Sequence, residues 1–234
     1  MLIMKLTEFV KKELAGWKKN EVIGLLIVVG IILANSIILK DNIIAVISAF
    51  CGIMYTVIAG KGKVSCYIFG LCGSGCYSWL AFQNALWGNL ILYMCYYIPL
   101  QIFGFFSWNK NLKKQTNEII KTQLSDKGKI FLIIIGFLGS VVTIIILKYF
   151  NDSNPLVDGT TTFLSILGMY MTVKRCIEQW VIWFIVNTLS FFMWLNIIMS
   201  GERVYSTLVM WLVYIILAVY FYKEWKKELN NIKE

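Results

Sequence analysis

Val22-Ile23-Gly24-Leu25-Leu26-Ile27-Val28-Val29-Gly30-Ile31-Ile32-Leu33 contains neither a charge nor a proline. The run is too long for a β-strand and lacks the alternation of a membrane β-barrel. With its flanks it extends over 22–39, close to the roughly 20 residues that a helix needs to cross hydrocarbon. Seven more stretches read the same way: 43–59, 64–82, 86–108, 130–150, 156–173, 177–199 and 203–222. The whole chain agrees: its 234 residues are 59% hydrophobic and 15% charged, with only two prolines to interrupt helices. An average soluble domain is about 25% charged, so a soluble enzyme is excluded. The sequence predicts an all-α integral membrane protein with eight transmembrane helices.

Residues 1–19 differ, placing Leu2, Leu6, Phe9, Val10, Leu14 and Trp17 among lysines at helical spacing. This is the pattern of an amphipathic helix lying on the membrane surface, without the apolar core and cleavage site of a signal peptide. Lysine and arginine are retained on the cytoplasmic side. With eight spans, nineteen basic residues fall on the face that carries both termini. Lys40, Lys148 and Arg203 alone fall on the other. Both termini are therefore expected in the cytoplasm. The net charge of +9 is mostly this topology signal, and no basic soluble domain is present to bind nucleic acid.

The chemistry of the interior is narrowed by what it lacks. There is no histidine, which removes Ser-His-Asp and Cys-His catalysis and His-ligated zinc. All thirteen acidic residues lie at or beyond the span ends, Asp158 and Glu178 coming closest to the interior. Buried mid-span charge is costly and is kept mainly for ion or proton handling, so passive facilitation is the simpler expectation. Arg175 and Arg203 also lie at span ends, leaving no interior guanidinium fork for a phosphate. No GxxxxGK[ST] motif provides ATP hydrolysis, and no cofactor is expected.

Sliding the chain along itself by about 116 residues aligns Gly52 with Gly168, Tyr55 with Tyr170, Trp79 with Trp194, Tyr97 with Tyr214 and Trp108 with Trp225. Four spans separate the copies, so they run in the same direction, as in transporters with parallel repeats. The expected organisation is a segment 1–19 and a transmembrane domain 20–226, then a cytoplasmic tail 227–234. The domain has an extra helix, repeat one (43–108), a linker helix (130–150) and repeat two (156–225). Alternating access by rocking of the repeats follows from this plan.

Trp180, Trp183 and Asn187 follow Trp-x-x-Trp-x-x-x-Asn, which puts them on one helical face. Two indoles can flank a flat ring, and an amide offers donors and an acceptor. The competing reading is interfacial belt tryptophans and a helix-packing asparagine; for Trp180 the two are balanced. Tyr77, Trp79, Tyr93, Tyr96, Tyr97 and Gln101 put polar tips on the third and fourth spans, though each alone is more often a packing residue. Ser165 and the Thr160-Thr161-Thr162 run can bond a sugar hydroxyl, but threonines in helices more often bond their own backbone. Asp158 is a candidate cap for the sixth helix. Gly73-Ser74-Gly75 fits close helix contact, and Cys72 and Cys76 fit packing rather than a disulfide or metal pair.

Asp158, Leu164-Ser165-Ile166, Lys174-Arg175 and Glu178 through Asn187 resemble the second-half signature of the PnuC family of vitamin-precursor transporters. Tyr67-x-Phe69-Gly70-Leu71, Phe82-Gln83 and Gly104-x-x-x-Trp108 resemble its first half, over roughly residues 43–226. The resemblance implies a three-plus-one-plus-three fold similar to that of SWEET proteins, as a homotrimer in the bacterial inner membrane. It implies facilitated diffusion of nicotinamide riboside for NAD synthesis, with a cytosolic kinase trapping the product. It places Trp180, Trp183 and Asn187 in the site. Tyr93 and Gly104-Phe105 depart from the family pattern, and related members carry thiamine, riboflavin or deoxynucleosides. A substrate-capturing subunit of an ATP-driven vitamin importer is the remaining, less favoured, class.

Overall fold

A computed structural model describes residues 17–39, 43–83, 87–114, 116–151, 154–200 and 205–231. Among the described residues each apolar stretch of the sequence is mostly helix, and there is no strand, only two isolated bridges. The stretches Leu90–Asn109, Asp126–Tyr149, Pro155–Val173 and Leu208–Asn231 are long and apolar enough to cross a membrane. The amphipathic segment predicted at the N-terminus lies almost wholly outside the described residues.

The chain forms two compact units, Met1–Ile120 and Lys121–Glu234. In the first unit, α1 (Lys19–Leu39) meets α2 (Ile43–Gly60), and α2 pairs closely with α3 (Cys66–Gln83). Gly73 permits that approach: a Cβ there would stand 3.1 Å from Cys51 Cβ. Next come α4 (Trp87–Leu92), a π-helical turn (Tyr93–Tyr97) and α5 (Ile98–Asn109), all packed on α3. The π turn has a local cause. Pro99 has no N–H for the Cys95 carbonyl and crowds it, so the ladder widens, and Ile98 N–H donates to Tyr93 O.

In the second unit, α6 (Asp126–Tyr149), α7 (Pro155–Val173), α8 (Glu178–Met199) and α9 (Tyr205–Asn231) pack in sequence, each on the next. Ser125 caps α6, its Oγ accepting from Gly128 N at 3.2 Å. The start of α7 corrects an expectation: Pro155 opens the helix and Asn154 is the cap residue, with no capping hydrogen bond from its side chain. Asp158 therefore lies inside the first turn, because a proline fits N1, where the missing N–H costs nothing. Thr160 and Thr161 bond the carbonyls of Leu156 and Val157 at 2.7 and 2.8 Å, as helical threonines commonly do.

Both units turn between helices in the same manner. Gly62 after α2 has φ 70°, and Arg175 after α7 has φ 62°. In the first unit Lys63 N–H returns to Ile58 O, and Ile119 N–H donates to Gly62 O at 2.9 Å. In the second, Cys176 N–H returns to Met171 O, and Thr122 N–H donates to Arg175 O at 2.9 Å. Residues 111–120 and 121–124 thus satisfy carbonyls that the helix ends leave orphaned.

Candidate substrate-binding residues

The spacing of Trp180, Trp183 and Asn187 gives them a common face on α8, yet their surroundings differ. Trp180 is 3% exposed. Its ring centroid lies 5.3 Å from that of Phe221 and 5.6 Å from that of Trp225, both on α9. It is a core aromatic of its unit and no belt residue, and its buried Nε1 has no hydrogen-bond partner among the described residues.

Trp183 is half-buried and packs on the cluster of Met171, Cys176, Ile182 and Val186. Its Nε1–H donates to Thr172 Oγ1 at 3.2 Å. The indole also covers Gly168 of α7, where a Cβ would stand 3.1 Å from Cε2 and 3.2 Å from Cζ2. One turn further along α8, Asn187 is buried, and its amide has no hydrogen-bond partner among the described residues. An amide offers two donors and an acceptor, which makes it a place for a polar ligand group. Ser165 shares its face of α7 with Gly168 and Thr172 and is half-buried.

In the first unit the tyrosines gather around the π turn. Tyr93 stacks on Tyr77 with centroids 4.4 Å apart and lies 4.8 Å from Tyr97, while Tyr96 is 5.6 Å from Tyr97. Buried Gln101 donates from Nε2 to Ser74 Oγ at 2.9 Å, leaving Oε1 buried and unpaired among the described residues. Trp79 stands apart from this group. It is 51% exposed and lies beside Phe82, because two residues along α3 turn it to the far side from Tyr77.

The basic end of each unit holds buried charge that sequence reasoning missed. Lys63 is 1% exposed and donates from Nζ to Thr116 O at 2.9 Å, with Glu118 at 3.9 Å. Lys121 pairs with Glu228 and lies over the Trp225 ring. Glu178 accepts from Leu124 N at 3.1 Å. Burial pushes the Cys176 thiol above its ordinary value, with Thr122 Oγ1 3.3 Å away. These groups fasten turns and lie at span ends, where no periodicity in the sequence marks them. Among the described residues no group of His, Cys, Asp and Glu is arranged to hold a metal ion.

Known proteins supply the context for this geometry. The family model described as "Nicotinamide mononucleotide transporter" matches residues 42–227. The "Nicotinamide riboside transporter PnuC" of Neisseria mucosa is 30% identical, over 96% of this chain and 88% of the relative. That of Haemophilus influenzae is 29% identical, over 96% and 97%. A solved structure titled "Crystal structure of the Vitamin B3 transporter PnuC" superposes with a TM-score of 0.81 at 30% identity, covering 94% of this chain and 97% of that one. These relatives are carriers and not enzymes. Matched by the family model over most of its length, the chain belongs to the nicotinamide mononucleotide transporter family, the PnuC membrane transporters.

Proposed function

We propose that the chain carries nicotinamide riboside into the bacterial cell by facilitated diffusion, and that a cytosolic kinase traps it by phosphorylation for NAD synthesis. The observation that carries this reading is Trp183, an indole fixed along one edge and one turn before the unpaired amide of Asn187. The riboside has a cationic pyridinium ring, which a tryptophan face attracts by about 0.5–2 kcal/mol without a buried carboxylate. Its carboxamide and sugar hydroxyls suit Asn187 and Ser165 of the same unit; the first unit by itself carries groups of the same chemistry at Gln101, Tyr77, Tyr93 and Tyr97. The described cations sit at helix ends or in turns, and the buried lysines already have partners, so the riboside is favoured over its phosphate ester.

Titration calorimetry of the purified protein tests this, with nicotinamide riboside, its mononucleotide, thiamine, riboflavin and deoxyadenosine. Binding of the riboside alone supports the reading. Binding of the mononucleotide overturns the phosphate argument, and binding of thiamine or a deoxynucleoside alone moves the substrate. Trp183→Ala should weaken riboside binding about tenfold or more if ring contact and orientation are both lost. Uptake into liposomes without an ATPase separates a carrier from an importer subunit.

The architecture proposed with it is an inner-membrane homotrimer whose subunits cross eight times, with both termini cytoplasmic and a parallel repeat after one extra helix. Local likenesses support the repeat. Gly62 and Arg175 stand 113 residues apart in turns of the same form. Tyr67 meets Trp108 edge-on at 5.1 Å, and Trp180 meets Trp225 edge-on at 5.6 Å. At the same offset Ser74 matches Asn187. Ser74 has Gln101 as its partner, whereas at the 117-residue offset that relates Trp108 to Trp225 the residue matching Gln101 is the buried Ala218, whose side chain cannot pair the Asn187 amide.

A further inference from the structure

Trp183 is one of three tryptophans of the second unit whose indole N–H can be compared. Trp180 and Trp211 leave theirs buried and unpaired among the described residues, whereas Trp183 donates to Thr172 Oγ1. Thr172 also stands apart from the other threonines. Thr56, Thr143, Thr160, Thr161 and Thr188 each donate to the carbonyl four residues back. Thr172 does so too, to Gly168 O at 2.8 Å, but among these it alone also accepts an indole N–H.

One hydroxyl thus donates its proton to the α7 backbone and presents its lone pair to α8. The carbonyl fixes the hydroxyl rotor, and the rotor fixes the indole edge. Gly168, one turn back, leaves the room the ring occupies, since a Cβ there would stand 3.1 Å from Cε2. Thr172 is buried, and its hydroxyl is already engaged as donor to Gly168 O and as acceptor from Trp183 Nε1, so it acts through the indole rather than on the ligand. The positive-φ turn at Arg175 folds α8 back along α7 and brings position 172 opposite position 183.

We propose that Thr172 is a positioning residue for substrate recognition: its hydroxyl, with the room left by Gly168, holds the Trp183 indole in the orientation that receives the pyridinium ring. The proposal rests on the reading of Trp183 as a binding residue. A ring free to turn would lose orientation on binding, and preorganised groups avoid that cost.

The test is riboside binding by the full-length protein carrying Thr172→Val, Thr172→Ser, Trp183→Phe, or Thr172→Val with Trp183→Phe. Valine keeps the shape and removes the acceptor, so T172V should bind about five- to tenfold more weakly, as loss of one buried hydrogen bond predicts. T172S should restore near-normal affinity. Phenylalanine has no N–H, so in W183F the valine substitution should cost no further affinity. Normal binding by T172V overturns the proposal, as does an equal loss in the W183F background. If W183F binds as the unaltered protein does, the reading of Trp183 fails, and the proposal with it. A ligand-free measurement guards against variants that bind too weakly. In indole-labelled protein the Trp183 N–H proton resonance, assigned by its absence from W183F, should move upfield in T172V and return in T172S. An unmoved resonance overturns the proposal.

Discussion

Trp183 meets α7 at two places, the Thr172 hydroxyl and Gly168. A Cβ at Gly168 would lie 3.1 Å from Cε2, so the ring must shift by a few tenths of an ångström or strain its bond to Thr172. Crowding of this kind costs about 1–3 kcal/mol, and Gly168→Ala should weaken riboside binding about three- to tenfold while circular dichroism still shows a folded helical protein. Unchanged affinity would mean the ring has slack. Asn187→Ala should weaken binding without lowering thermal stability, since it removes no hydrogen bond to a described residue; a large fall in melting temperature would mark Asn187 as a packing residue. Cys176 provides a contrast. Its thiol is buried and held above its ordinary value, so little thiolate forms near neutral pH, and maleimide should label it only after denaturation. Trp180 shows where reading by residue type reaches its limit. The three-four spacing correctly gives it the same face of α8 as Trp183, but spacing carries no information about what that face meets. Phe221 and Trp225, some forty residues later, decide that Trp180 is core.

At the scale of helices, the apolar runs were legible because length and hydrophobicity alone specify them in a membrane. Their contacts were less so, since they depend on size complementarity between distant positions. The proposed repeat illustrates this. Identical residues suggest offsets of 115 to 117, yet the matching turns are 113 apart. At that offset Tyr55 against Gly70 corresponds to Gly168 against Trp183: large and small partners exchange helices and fill the same contact. Such an exchange leaves no identity for a sequence comparison to find. The π turn was hidden too, because a proline in an apolar run marks a missing N–H without saying how the backbone ladder adjusts to it. The helix contacts also rank the glycines. A Cβ at Gly159 would meet Ile144 N at 2.8 Å and its Cα at 2.9 Å, both backbone, whereas one at Gly75 meets nothing within 4 Å. Gly159→Ala should therefore separate α6 from α7 and lower stability by about 1–3 kcal/mol. Gly75→Ala should be neutral or slightly stabilising through helix propensity. Thermal unfolding in one detergent compares them directly, and equal melting temperatures would contradict the α6–α7 packing.

For the whole molecule, the proposed crossing path rests on two kinds of observation that agree within each unit. In the first unit the turn carrying Lys61 and Lys63 lies against residues 116–119. In the second, the turn carrying Lys174 and Arg175 lies against Thr122, and Lys121 pairs with Glu228 near the end of α9. Each unit thus gathers its basic turn and its share of the central linker at one end, which in the proposed topology is the cytoplasmic end. Eight crossings put the C-terminus there as well, whereas seven would place it outside and strand basic residues on the wrong face. Fusions to alkaline phosphatase, which folds only where disulfides form, distinguish the two. Fusions after Asp152 or Glu202 should be active, and fusions after Gln115 or Glu234 inactive, with a fluorescent protein at the C-terminus giving the complementary signal. Phosphatase activity at Glu234 together with inactivity at Gln115 would require an odd number of crossings after the linker, and the parallel repeat could not survive it.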